Sequence, residues 1–179
     1  MHIICNREIL QKYIAQAERI TGKNLSLPIL GSVLLATNNK SLIVRATNLD
    51  IGVEFQIPAI IKTEGSIALH GALLANTLAS IPDEQEVTLV VNNGVCTITT
   101  KTKTLIVKGY LPDDFPTIPY IKEGESFILP ASKFIQGVKS VVMSAAVSDI
   151  KPEIASVYLY QQGDSLVFVA TDSFRLAEK

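Results

Sequence analysis

Residues 28–55 read PILGSVLLATNNKSLIVRATNLDIGVEF, and the pattern returns at residues 152–179 as PEIASVYLYQQGDSLVFVATDSFRLAEK. The two stretches align without a gap at an offset of 124 residues. Identical residues stand at Pro28/Pro152, Ser32/Ser156, Val33/Val157, Leu35/Leu159, Ser41/Ser165, Leu42/Leu166, Ala46/Ala170, Thr47/Thr171 and Glu54/Glu178. A second offset, of 54 residues, relates Val33, Leu35, Asn38, Asn39, Val53 and Pro58 to Val87, Leu89, Asn92, Asn93, Val107 and Pro112. Since fixed periods mark repeated structural units, the sequence predicts a half-domain duplicated into a domain, and a domain repeated along the chain.

Composition favours a folded chain without a membrane span. Of the 179 residues, 47% are apolar and 18% are charged, which is enough to build a packed core. Residues 1–20 carry Arg7, Glu8, Lys12 and Glu18, so they do not resemble a secretory signal peptide. Cys5 and Cys96 fall in predicted strands and are expected to be reduced core residues, which favours a cytoplasmic location. The net charge of −1 argues against a protein coated in basic residues but allows positive charge on one face.

Hydrophobic periodicity predicts the same element order twice: strand, helix, then three strands. The first set is residues 2–5, 7–21, 32–36, 42–46 and 51–57, and the second is 66–69, 71–81, 86–91, 95–100 and 104–108. The order restarts with a strand at 127–129, a helix at 132–145 and strands at 154–160 and 166–170. We therefore predict an α+β fold of duplicated strand-helix-three-strand half-units, with the helices on one face of curved antiparallel sheets.

Residues 111–125, which contain three prolines, one glycine and four acidic side chains, are the best candidate for a connection between domains. We place the first domain at residues 1–120, the linker at 121–125 and the first half of a second domain at 126–179. A half-unit alone would leave an apolar face and a bare strand edge. We therefore expect the sequence to be part of a longer chain.

No catalytic, metal-binding or cofactor-binding constellation stands out. His2 and His70 are isolated, and no glycine-rich phosphate loop is present. Asp172 could act as a lone general base in a hydrolase, but we find no catalytic partner residue near it in the sequence. The polar face of the first helix is mostly basic and consists of Glu8, Lys12, Gln16, Arg19 and Lys23.

Three short segments, taken together with the distances between them in the sequence, resemble those of a known protein family. They are LPIL at 27–30, LPDDFP at 111–116 and ATDSFRLA at 170–177. Together with the 124-residue repeat, they resemble the bacterial sliding clamp, the beta subunit of DNA polymerase III, over the whole sequence. The resemblance implies a non-catalytic ring without a cofactor, built head to tail from two subunits as a homodimer. Such a ring encircles duplex DNA and tethers the replicative polymerase, and a loader complex opens it.

The resemblance also implies two sets of site residues. DNA contacts, independent of sequence, would come from Lys12, Arg19, Lys23, Asn24, Lys133 and Lys139. The second helix carries no charge, which departs from the basic pattern of the family. One wall of the pocket for polymerase, loader and other clamp-binding peptides would come from Ile154, Thr171, Ser173, Phe174, Arg175 and Leu176.

An alternative function remains open from the residues alone. A small β-rich interaction domain could use the edge around Phe174 to pair with another protein and never meet DNA. The basic stripe on the first helix favours the DNA-binding hypothesis over this one.

Overall fold

The computed structural model describes residues 1–22, 27–81, 85–120, 123–124, 126–148 and 150–179. The chain forms two compact units, Met1–Tyr120 and Ile121–Lys179. In the first unit, the order is β1 (His2–Asn6), α1 (Arg7–Glu18), β2 (Ser32–Asn38), β3 (Ser41–Thr47), β4 (Gly52–Thr63), β5 (Ser66–His70), α2 (Gly71–Ala79), β6 (Glu86–Asn92), β7 (Val95–Thr99) and β8 (Thr104–Tyr110). The second unit contains α3 (Ala131–Val141), β9 (Tyr158–Gln162), β10 (Ser165–Thr171) and β11 (Leu176–Glu178).

The eight strands of the first unit hydrogen-bond in a closed circuit, in the order β1-β4-β3-β2-β5-β8-β7-β6. All neighbouring pairs are antiparallel. If β1, β2, β3 and β4 each change places with β5, β6, β7 and β8, respectively, the circular order stays the same. The topology therefore has internal two-fold symmetry. The predicted duplication of a strand-helix-three-strand half-unit is confirmed.

Two strands make the corners of the circuit. In β4, residues 52–58 pair with β3 and residues 59–63 pair with β1. In β8, residues 104–108 pair with β7, and Gly109 and Tyr110 pair with β5. Each corner strand therefore belongs to two sheets, and the corners occupy equivalent positions in the two halves.

Both helices of the first unit bury their apolar faces in one core. Leu10 and Ile14 from α1 and Leu74 and Leu78 from α2 are fully buried in the same cluster as the inward residues of the strands. The Asn6 side chain accepts a hydrogen bond from the Ile9 N–H at 3.0 Å and so caps α1. The two helices pack side by side, which confirms that they share one face of the sheets.

The Pro-rich segment after β8 packs on the outer face of the first unit. Phe115 is buried against Leu34 and Ala68. Further along, Ile118 covers Gly52 so closely that a Cβ at position 52 would lie 2.8 Å from the Ile118 Cγ2 atom. Residues 112–120 therefore form an outer strap on this unit, and only the part after Tyr120 is left to act as the linker predicted at 121–125. Residues 121, 122 and 125 of that linker lie outside the described residues.

A polar cluster fastens the end of the strap. The Glu54 carboxylate accepts a hydrogen bond from the Tyr120 hydroxyl and another from the Arg45 Nε atom at 2.6 Å. The Tyr120 hydrogen bond, followed by the Arg45 interaction, lowers the pKa of Glu54 despite partial desolvation. The charged carboxylate is therefore the form that the folded unit favours.

In the second unit, α3 lies on a three-stranded sheet of order β11-β10-β9. Its small core contains Val141, Phe168 and Ala170. The Phe168 ring lies directly against Gly137, where an added Cβ would stand 2.5 Å from the ring. Only glycine at this position lets the helix approach the sheet so closely.

Several predicted boundaries differ from the structure. α1 ends at Glu18 rather than at residue 21, and α3 runs from Ala131 to Val141, followed by a 3-10 turn at Val142–Ser144. β9 covers Tyr158–Gln162, so the predicted start at residue 154 is wrong. The predicted strand at 127–129 is also wrong, because those residues form no strand. The equivalent strand of the first unit, β1, pairs with residues 59–63 and 86–90. The residues equivalent to these, 124 positions further on, would have numbers above 179.

We predict that Glu54→Gln reduces the loss of stability of the first unit on acidification. A carboxylate with a depressed pKa stabilises the fold above its unfolded pKa, and that contribution is lost as the pH falls through the folded value. The midpoint of urea unfolding should therefore fall less steeply in the variant between about pH 5 and about pH 3. Glu64→Gln, at an exposed carboxylate of the same unit, is the control and should keep the wild-type slope. Identical slopes for Glu54→Gln and wild type would contradict the prediction.

Candidate nucleic-acid and protein interfaces

A tight turn joins β10 to β11 and contains most of the residues predicted for the protein-binding pocket. The Thr171 hydroxyl donates to the Arg175 carbonyl oxygen at 2.7 Å and accepts from the Ser173 N–H at 3.2 Å. Ser173 has a φ of 76°, in the left-handed region that tight turns use. These hydrogen bonds bring Thr171, Ser173, Phe174, Arg175 and Leu176 together on one short stretch of surface.

Asp172 organises this turn from within. Its Oδ1 atom accepts from the N–H groups of Phe174 at 3.0 Å and Arg175 at 2.9 Å. Its Oδ2 atom lies 2.9 Å from the Arg175 Nε atom. The two backbone hydrogen bonds, Arg175 first, and then the guanidinium lower the pKa of Asp172. The carboxylate is therefore charged at neutral pH and accepts three hydrogen bonds within the turn, and the lowered pKa makes it a weak general base.

The apolar side chains of the turn point away from the core. Phe174 is 98% exposed and Leu176 is 66% exposed. Exposed apolar side chains that adjoin one another form a patch, and contiguous apolar patches mark contact sites for partners more often than single exposed residues do. The exposed guanidinium of Arg175 lies between them in the sequence and can donate directed hydrogen bonds.

Ile154 is positioned by another part of the chain. It lies before β9, is half-buried, and its carbonyl oxygen accepts from the Ala146 N–H at 2.9 Å. Hydrogen bonds tie the five turn residues to one another but do not extend to Ile154. Its place in the pocket therefore stays a prediction.

The same turn occurs in the first unit, 124 residues earlier. The Thr47 hydroxyl donates to the Ile51 carbonyl oxygen at 2.9 Å and accepts from the Leu49 N–H at 3.0 Å. The Asn48 Oδ1 atom accepts from the N–H groups of Asp50 at 3.1 Å and Ile51 at 2.8 Å. Leu49 has a φ of 80°, close to that of Ser173. The repeat read from the sequence is thus present in individual hydrogen bonds.

The predicted basic stripe lies on the exposed side of α1. Glu8, Lys12, Gln16 and Arg19 are all exposed, with Arg19 directly after the helix. The Lys12 Nζ atom lies 5.8 Å from the centroid of the Tyr13 ring, within cation–π range. Lys23 and Asn24, the other two candidates from this region, lie outside the described residues.

The other two helices differ in charge. The exposed residues of α2 are Leu73, Asn76 and Ala79, so its surface is neutral. In the second unit, Lys133 and Lys139 are exposed on α3. Positive charge is therefore available on α1 and α3, in separate units.

The described residues contain no group of three or more His, Cys, Asp or Glu side chains placed to hold a metal ion. Within the same residues, no helix is both long and apolar enough to cross a membrane. Cys5 and Cys96 are buried free thiols, and burial raises the pKa of each to about 12.

Residues 1–119 match the family model of the DNA polymerase III beta subunit, N-terminal domain. The chain belongs to this family. The beta sliding clamp of Synechococcus elongatus is 28% identical over 179 residues, covering 99% of this chain and 48% of that protein. The clamp of Synechocystis is 27% identical, covering 99% and 47%. The chain therefore spans about half the length of the curated relatives it matches.

Solved structures agree on the fold. The sliding clamp of Bartonella birtlesii, bound to griselimycin, superposes with a TM-score of 0.91 at 26% identity, over 99% of this chain and 49% of that one. The DNA polymerase III beta subunit of Pseudomonas aeruginosa gives a TM-score of 0.93 at 22% identity, over the same shares of the two chains. The clamp fold predicted from the sequence is confirmed.

The sequence reasoning missed the role of Asp172, which it considered only as a possible base. The signal that could have revealed it is Asn48, the residue at the equivalent position of the repeat. An amide cannot act as a general base, but its oxygen can accept the same turn hydrogen bonds. An Asn and an Asp at equivalent positions indicate a turn-forming role.

We predict that Phe174→Ala leaves the stability of the second unit nearly unchanged, because the ring is exposed. Its free energy of unfolding should change by no more than about 0.5 kcal/mol. Phe168→Ala, which empties the core, should cost about 3–5 kcal/mol. Urea unfolding followed by circular dichroism measures both. A large loss of stability in Phe174→Ala would mean that this ring packs inside the fold.

Proposed function

We propose that the chain is part of a sliding clamp that serves as a processivity factor in DNA replication. The observation that carries the proposal is the family match over residues 1–119, on a unit whose two helices share one face of a closed strand circuit. A processivity clamp needs no catalytic group and no cofactor, because it acts by staying on DNA. It works in the cytoplasm, and the loader rather than the clamp hydrolyses ATP.

DNA binding in this proposal depends on a closed ring more than on affinity. The full-length protein would form a homodimeric ring around duplex DNA, with helices lining the hole. Lys12, Arg19 and Lys23 would contact phosphates from one domain, and Lys133 and Lys139 would do so from the next. Such contacts carry no sequence information and weaken with salt. Asn24 stands where the family places a further loop contact.

Protein partners would bind at the turn between β10 and β11. Phe174 and Leu176 supply exposed apolar area, and Arg175 supplies directed donors. Together with Ile154, Thr171 and Ser173 they would form one wall of a pocket for short apolar peptides. The replicative polymerase, the loader and other proteins with clamp-binding motifs would use this pocket. The opposite wall would come from a third domain.

The domain assignment belongs to the same proposal. Residues 1–120 form the first clamp domain, 121–125 the linker, and 126–179 the first half of the second domain. The compact units Met1–Tyr120 and Ile121–Lys179 support the first boundary.

The alternative is a β-rich protein-interaction domain that does not bind DNA. The exposed Phe174 and Leu176 would suit it equally well. The exposed basic residues Lys12 and Arg19 on α1 favour the clamp.

We predict that replacing Lys12, Arg19 and Lys23 together with Glu weakens retention of the full-length protein on circular DNA. Reversing three charges replaces attraction to phosphates with repulsion. Retention is measured at low salt by gel filtration of the loaded DNA. The matched control reverses Lys40, Lys62 and Lys108, which are exposed on the strand side of the same unit, and should retain DNA normally. Equal retention by both triple variants would remove α1 from the DNA-binding surface.

We predict that the 179-residue protein binds a clamp-binding peptide weakly or not at all, whereas the full-length protein binds it in the micromolar range. That affinity corresponds to about −8 kcal/mol. Leu176→Asp in the full-length protein should abolish binding, because it places an unpaired charge against apolar peptide side chains. Calorimetry of one peptide against all three proteins is the test. Tight binding by the 179-residue protein would show that the pocket is complete without a third domain.

A further inference from the structure

We propose that Asp172 is a positioning residue that orients the Arg175 guanidinium for a carboxylate or carbonyl group of a bound partner. The inference rests on the proposed function of the turn as part of a partner-binding wall. The turn occurs twice, at Thr47–Ile51 and Thr171–Arg175. Interactions present in both copies form the turn, and an interaction present only in the second copy is a candidate for a role in binding.

The Oδ1 atom of Asp172 has a structural role that both turns share. In each turn, the side-chain oxygen of the second residue accepts two backbone N–H groups, those two and three positions further on. Asn48 performs this role with an amide. An Asn at position 172 would therefore be sufficient to form the turn.

The Oδ2 atom of Asp172 has a role that occurs only in the second unit. It accepts from the Arg175 Nε atom at 2.9 Å. In the first unit the residue equivalent to Arg175 is Ile51, which has nothing to donate, and the residue equivalent to Asp172 is neutral. The carboxylate is thus present where there is a guanidinium to hold and is replaced by an amide where there is none.

The ion pair leaves the outer end of the guanidinium free. Its Nε atom is engaged, whereas the Nη1 and Nη2 atoms have no acceptor among the described residues. Holding a long side chain in one orientation lowers the entropy lost when a partner orders it. The free pair of nitrogens matches the geometry of a carboxylate or a backbone carbonyl. Phe174 and Leu176 beside it would take an apolar side chain of the same partner.

Asp172→Asn tests the inference because it keeps the Oδ1 acceptor and removes the anion. Asp164→Asn removes one negative charge at the exposed β9–β10 turn of the same unit and is the matched control. In the 179-residue protein, nitrogen-15 NMR of the Arg175 Nε–H group should show several-fold faster exchange with water in Asp172→Asn only. The amide chemical shifts outside the Thr171–Arg175 turn should be the same in all three proteins, because the Asn side chain keeps the turn.

Partner binding is then measured by calorimetry in the full-length protein, with acetyl-Leu-Leu-Phe bearing a free carboxylate as the probe. Asp172→Asn should bind it about fivefold more weakly, the loss expected when one long side chain must be ordered on binding. Asp164→Asn should bind it like wild type. Equal affinity of Asp172→Asn and wild type, or amide shift changes that extend beyond the turn in Asp172→Asn, would overturn the inference. If wild type itself does not bind the probe, the proposed partner site fails, while unchanged Nε–H exchange would separately overturn the positioning role.

Discussion

Each strand of the first unit hydrogen-bonds to a neighbour on both sides, and this closure limits where every other part of that unit can lie. An open sheet edge would present unpaired N–H and C=O groups. The circuit β1-β4-β3-β2-β5-β8-β7-β6 leaves no such edge. It needs two corners, which β4 and β8 provide by changing partners along their length. Because the backbone groups of the strands hydrogen-bond to one another, the strands can contact other molecules only through their outward side chains.

The two Thr-Asx turns show how a repeated scaffold can carry different surfaces. Their hydrogen bonds are the same, so the backbone path after β3 and after β10 is the same. What they display differs: Leu49, Asp50 and Ile51 in one, and Ser173, Phe174 and Arg175 in the other. The backbone of the turn is maintained by Thr and Asx alone. The side chains at the three displayed positions make none of the hydrogen bonds that the two turns share, so they can differ between the copies, although the left-handed φ of Leu49 and Ser173 limits the first position.

The sequence predicted the topology well because the 54- and 124-residue offsets both relate hydrogen-bonded structural units. The predicted boundaries failed where pairing with a distant strand or a long-range contact determines where an element begins or ends. β4 continues past Pro58, where a strand was expected to end, because β4 leaves β3 and joins β1 at that point. A proline without an N–H is tolerated at such a corner. The strap at 112–120 looked like a connection by composition, and its contacts through Phe115, Ile118 and Tyr120 reveal that it is part of the unit. The family resemblance singled out Phe174 as a binding residue, whereas the turn-forming role of Asp172, which its equivalent Asn48 could have indicated, became clear from the hydrogen bonds of both turns.

Weak charge on the helices is compatible with the proposed clamp function. The exposed face of α1 carries Lys12 and Arg19 but also Glu8, and α2 adds no charge. The affinity of such a surface for DNA rises with the number of phosphates it neutralises, and so does its dependence on salt. A ring that is closed around DNA does not dissociate when a single contact breaks, so it gains little from a strong lining. Strong contacts would instead slow its movement, because each step along the duplex would have to break them. A protein that stays on DNA by closure would therefore favour few and exchangeable phosphate contacts, and the weak charge on the exposed faces of α1 and α2 is consistent with that proposal.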